Sequence, residues 1–152
     1  MSSKTSCPIL KCKAYNAMVI GEWLAAESIA LSSEKPNDEY LAARAATMWG
    51  ITEFYAVLRR SGMWLDDASL TELHRARDAM LHGYNFMASL ASEDHMARWP
   101  CKPKLHQVDH IERIAQSARQ NPKSRWTFQD EDNMVLLQGW ALWFTVRPLR
   151  VV

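Results

Sequence analysis

Between Asn37 and Gly62 the apolar residues Leu41, Ala45, Met48, Ile51, Tyr55 and Leu58 return every three or four positions. On a helix of 3.6 residues per turn that spacing lines up one continuous stripe, whereas a half-buried strand would need strict alternation. The same rhythm recurs at Leu70, Leu73, Ala76, Met80, Tyr84, Met87 and Ala91. A looser version runs from Ala14 to Leu31, with Ala17, Ile20, Leu24 and Leu31 near one face. Alternation is almost absent, so this chain of 152 residues is expected to be all-α, a single-domain bundle of about five helices with short loops. Residues 1–13 are polar and basic and read as a flexible N-terminal segment.

The breaks between stripes carry recognisable helix signals. Asn37 or Asp38 can cap the second helix, and Arg59-Arg60 suit its negative C-terminal end, with Ser61-Gly62 as the stop. Asp66, Asp67 and the Ser69–Glu72 pair, at capping-box spacing, open the third. Gly83 falls inside that helix, where glycine costs about 1 kcal/mol relative to alanine, and so predicts a close approach of another element. The fourth helix begins near Pro103 and ends at Asn121-Pro122. The fifth opens at Thr127 with Asp130 and closes at Arg147-Pro148. It is apolar nearly all round, which predicts a central position or a partner clamped on Trp140, Trp143 and Phe144.

Several classes of function fall away at this level. A net charge of +1 does not suit a protein devoted to electrostatic binding of nucleic acid. The longest uncharged apolar run, residues 133–146, is shorter than the roughly 18 residues a membrane span requires. Three cysteines cannot all pair and no signal-peptide pattern opens the chain, so a reducing compartment, cytoplasmic or nuclear, is expected. Cys7 and Cys12 lack a second pair for a zinc site, and the five glycines form no phosphate loop.

Charge is nonetheless uneven. Residues 14–58 hold six acids and two bases, whereas Arg98, Lys102, Lys104, Arg113, Arg119, Lys123 and Arg125 face only Asp109 and Glu112 over residues 98–125. That basic segment could contact phosphate, form a solvated face, or pair with the acidic helices.

The stretch WPCKPKLHQVDH, residues 99–110, concentrates the residue types that do chemistry. His106 and His110 are one turn apart and share a side of the fourth helix. The apolar residues Leu105, Val108, Ile111, Ile114, Ala115 and Ala118 point more than a right angle away, so neither histidine is an ordinary core residue. Two imidazoles at this spacing can bind zinc or another divalent metal, the one cofactor for which the sequence leaves room, if a third ligand comes from elsewhere. Asp109 or Glu112 would then be the proton-transfer group of a metal-dependent hydrolase. A metal shared by His106, His110 and Asp130 within one hairpin is disfavoured by distance, because His110 lies about 13 Å from the helix end that adjoins Asp130, Glu131 and Asp132. Those three acids suit a helix N-terminus in any case.

In order, Trp99, Pro103, Lys104, His106, His110, Asn121, Pro122 and Asp130-Glu131-Asp132 resemble a segment of the large multicopy proteins of dinoflagellate genomes, a group of mobile-element character. The likeness covers residues 99–132 and departs at VLLQGWALWF, where a small, glycine-containing continuation belongs. It implies that the histidine and acidic stretches form one unit of a larger protein, and it brings no catalytic residue with it. Three functions follow as expectations. The first is a binding or assembly module working through a protein partner or self-association. The second is the metal-dependent hydrolase just described, on phosphodiester or peptide bonds. The third is nucleic-acid contact through the basic segment.

Overall fold

A computed structural model describes residues 14–93, Trp99 and residues 103–124, and among these the fold is all-α. Helices α1 (Ala14–Glu34), α2 (Glu39–Arg60), α3 (Asp67–Glu93) and α4 (Pro103–Ala118) follow one another, with a 3-10 turn at Pro122–Ser124. The expected fifth helix, with Trp140, Trp143, Phe144 and the acids 130–132, lies outside the described residues. So does the N-terminal segment 1–13.

Each helix packs antiparallel on its predecessor, and the α2–α3 pair is the most extensive contact. The reason is the pair of glycines facing across it. A Cβ at Gly83 would strike the Thr47 hydroxyl and come within 2.7 Å of the Ala43 carbonyl; one at Gly50 would meet the Ala76 carbonyl at 2.6 Å. The backbones therefore approach closer than any side chain allows, which is the packing that Gly83 announced. Thr47 sits fully buried in this crossing, its hydroxyl donating to the Ala43 carbonyl at 2.7 Å.

Packed on both sides, α2 buries more than its sequence stripe. Phe54 and Val57 join Met48, Ile51 and Leu58 in the interior, serving the second cluster with Leu65, Leu73, Ala76 and Ala115. The first cluster gathers Leu24, Met48, Met80, Tyr84, Met87, Leu105 and Trp99. Trp99, buried against the edge of Tyr84 with ring centroids 5.6 Å apart, is a core residue with a left-handed backbone (φ 54°). For a bulky residue that conformation costs about 1–2 kcal/mol, which its burial offsets.

Three helix ends show detail beyond the sequence expectation. α2 does stop at Ser61-Gly62, but Ser61 is an extended C-cap, and no glycine among the described residues has positive φ to cap by a left-handed turn. The buried Asn121 takes that role from 60 residues away. Its Nδ2 donates to the carbonyls of Leu58 (2.9 Å), Ser61 (3.2 Å) and Gly62 (3.0 Å), groups that the end of the helix leaves without partners. Its Oδ1 accepts from the Lys123 N–H and its own N–H bonds to the Met63 carbonyl.

The start of α3 is also different. Asp66 caps it by accepting from the Ser69 N–H at 2.8 Å, while Glu72 pairs with Arg60 at 2.6 Å instead of closing a capping box. Lastly, α4 ends at Ala118, three residues before Asn121, with Arg119 left-handed (φ 52°). Among the described residues no helix is long and apolar enough to cross a membrane.

Candidate functional site

The face of α4 that meets α3 is not the one its apolar residues define. Leu105 and Ala115 are buried as expected, but Ile114 is 56% exposed and Ala118 is exposed too. Glu112 is instead among the most buried side chains, at 1%. The helix is rolled toward its acidic flank because α3 presents Arg77, whose Nη2 lies 3.1 Å from Glu112 Oε2. A buried carboxylate is tolerable only when paired and hydrogen-bonded, and Glu112 is both.

Around that pair lies a connected polar cluster. Gln116 Nε2 donates to Glu112 Oε1, and His74 Nδ1 stands 3.1 Å from the same oxygen. Arg77 Nη2 also reaches His74 Nδ1 at 2.9 Å. With Nδ1 accepting from Arg77, the His74 Nε2–H is directed at Asp78, 3.3 Å away. Arg77 Nη1 meets Asp78 at 2.8 Å and Asp109 at 3.5 Å, and Asp109 takes Arg113 Nε at 2.9 Å. Each of the three carboxylates has an arginine partner, Arg77 serving all three, while the buried Arg77 Nε is left without a hydrogen bond. The cluster's physical role is to fix the roll and height of α4 on α3.

This arrangement separates residues that the sequence had grouped. Asp109 and Glu112, the proton-transfer candidates, turn toward α3 and are occupied by arginines. His106 and His110 are exposed as expected, with their Nε2 atoms 2.8 Å apart and ring centroids 4.2 Å apart. Among the described residues no group of three or more His, Cys, Asp or Glu side chains is placed to hold a metal ion. Of the basic segment, Arg113 pairs with Asp109 and Arg119 with Asp67 at 2.6 Å, so two of its cations already have carboxylates; Lys123 is exposed. Arg98, Lys102 and Arg125 lie outside the described residues, and Lys104 is placed only as backbone in the first turn of α4.

What the sequence stripe did not reveal is the outer surface of α1. Leu24, Ala25 and Ser28 turn inward, yet Val19, Trp23 and Ile29 are exposed, Trp23 at 59%. At about 100° per residue, Val19, Trp23, Ala26 and Ala30 form a second stripe opposite the buried one. Its rim carries Glu22 on one side, paired with Arg59 of α2 at 2.8 Å, and the acids Glu27 and Glu34 on the other, and α1 holds no lysine or arginine. The signal was present in the sequence as a helix lacking a polar face, apolar from Ala17 to Leu31 wherever it is not acidic or small.

Two recesses among the described residues offer little to a small ligand. The recess between α1 and α2 lined by Met18, Gly21, Ile51 and Tyr55 holds about 10 Å³, room for one water at most. The depression at Lys35, Pro36, Asn37, Asp38 and Glu39 is an open surface on one loop. No family model, curated protein or solved structure matches this chain.

Proposed function

We propose that the protein is a helical binding module whose α1 receives a basic amphipathic helix from a protein partner. The observation that carries this reading is the outward stripe Val19–Trp23–Ala26–Ala30 with Glu27 and Glu34 along one rim. A surface tryptophan in an apolar stripe is the residue type that dominates binding energy at interfaces. Charge selects the occupant: a second copy docked through α1 would set acids against acids, and the apolar run 133–146 of this chain contains no base to meet them. A helix with apolar residues at three-four spacing and lysines or arginines on the flank facing Glu27 and Glu34 meets both demands.

The experiment uses two labelled helical peptides with the same apolar stripe, one rimmed by lysine and one by glutamate. Fluorescence anisotropy is expected to show binding of the lysine peptide alone, and Trp23→Glu to weaken it by about 2 kcal/mol, roughly thirtyfold in Kd. Equal binding of both peptides, or indifference to Trp23→Glu, overturns the reading. So does a dimer in light scattering that Trp23→Glu dissociates, or peptide binding that begins only when residues 125–152 are removed.

A further inference from the structure

His106 and His110 occupy the first two turns of α4, exposed, with Nε2 atoms 2.8 Å apart. One ring donates its Nε2–H to the other, so the two nitrogens lie within reach of a single ion after a small rotation of the rings. We propose that the pair is a chelate site for a late first-row divalent cation, and that it favours copper(II) over zinc(II).

The preference follows from the separation of the nitrogens. Imidazole nitrogens bind such ions at about 2.0–2.1 Å. Two of them in adjacent corners of a square-planar or tetragonal shell, 90° apart at the metal, are separated by about 2.8–3.0 Å. At tetrahedral angles they stand about 3.3–3.4 Å apart. The observed 2.8 Å, itself an N–H···N hydrogen-bond length, lies nearer the first. Tetragonal nitrogen and oxygen coordination is the geometry of copper(II) and nickel(II), and copper(II) is the tightest of the series.

The cation displaces one hydrogen bond, the Nε2–H···Nε2 contact between the rings. The shared Nε2–H moves to Nδ1 of its own ring, so both rings become Nδ1–H tautomers and no net proton is released. Asp109, the carboxylate between the two in sequence, is held by Arg113 and Arg77 and stays out of the shell. With no third His, Cys, Asp or Glu grouped there among the described residues, water fills the other corners. A cation coordinated mainly by water on an exposed helix is a binding site and not the closed three-ligand centre of a zinc hydrolase.

The test is a titration of the untagged full chain, its cysteines alkylated so that thiols neither bind nor reduce the metal, with copper(II) chloride. Isothermal calorimetry is expected to give one strong site, and paramagnetic resonance at one equivalent to show two equatorial nitrogens. His106→Ala and His110→Ala each remove one nitrogen and weaken binding at least about tenfold, since the second contact is no longer intramolecular. His82→Ala, at an exposed position on α3, leaves both readouts unchanged. Zinc(II) chloride binds the parent more than about tenfold more weakly. Copper affinity and nitrogen count that survive either α4 substitution overturn the site, and zinc bound as tightly as copper overturns the tetragonal assignment. Far-UV circular dichroism confirms that each variant folds.

Discussion

Replacing Arg77 by methionine takes the counter-charge away from a carboxylate that cannot reach water. Glu112 is 1% exposed, and it would have only Gln116 and, once the His74 proton moves to the vacated Nδ1, His74 as donors. Breaking a buried ion pair from one side costs about 3–5 kcal/mol, and the two remaining partners place this case near 3. Glu112→Met leaves Arg77 with Asp78 and Asp109, so its cost is smaller, about 1–3 kcal/mol. The double variant has neither a buried charge nor an unmet one on Glu112, and methionines fill similar volume. It is expected within about 1 kcal/mol of the parent, because well-packed apolar residues replace buried ion pairs with little loss. The three variants and the parent form a thermodynamic cycle, read by urea unfolding followed by circular dichroism. Coupling of about 3 kcal/mol between the two sites is expected. For a chain of this size the Arg77→Met loss corresponds to a fall in Tm of about 6–12 °C. Additive costs, or an Arg77→Met penalty below about 1 kcal/mol, would refute the account of α4 as held by this pair.

Other expectations concern the frame. Asn121→Ala strands three carbonyls at the end of α2, one of them buried, and is expected to cost about 1–3 kcal/mol in urea unfolding, with faster hydrogen exchange at the Asn121, Lys123 and Leu65 amides. Gly83→Ala drives a methyl group into the Ala43 carbonyl and Thr47, costing about 1–3 kcal/mol, whereas Gly62→Ala meets nothing within 4 Å and is expected to stabilise by about 0.4–1 kcal/mol. Asp66 is held below the ordinary carboxylate range by the Ser69 hydroxyl and N–H. Its folded pKa is depressed, so its contribution is fully present above the unfolded value near 3.9 and disappears as pH falls through the folded one. Asp66→Asn is therefore expected to flatten the acid limb of Tm against pH, and an unchanged limb would count against the cap.

How much of this could be read in advance depends on how local its cause is. The stripes of α2 and α3, the cap at Asp38 and the close approach at Gly83 all follow from residues within a few turns of each other. Phe54 and Val57 escaped because a helix packed on two sides has no single stripe. The roll of α4 escaped for a different reason: Glu112 is buried only because Arg77, 35 positions earlier, comes to face it. Asn121 was legible as the end of a segment but not as the cap of another helix. Of the candidate sites, the histidine pair and its outward direction were visible in the spacing. The separation of Asp109 and Glu112 from that pair was not, since it rests on partners in α3. Trp23 went unnoticed because an inner stripe had already been found for α1.

The tie from Asn121 to the carbonyls of Leu58, Ser61 and Gly62 also sets an order of events during synthesis. As the chain emerges from its amino end, α2 and α3 can pair as soon as both exist, since their contacts join neighbours in sequence. The last turn of α2, however, has no terminator until residue 121 has left the ribosome. Through that interval the helix end frays into water, with Met63 and Trp64 beside it. The arrival of one asparagine then closes the α2–α3 turn and seats the segment after α4 in the same event. A released chain truncated after residue 118 therefore retains a protease-sensitive hinge near Gly62, and one that ends six residues later loses it.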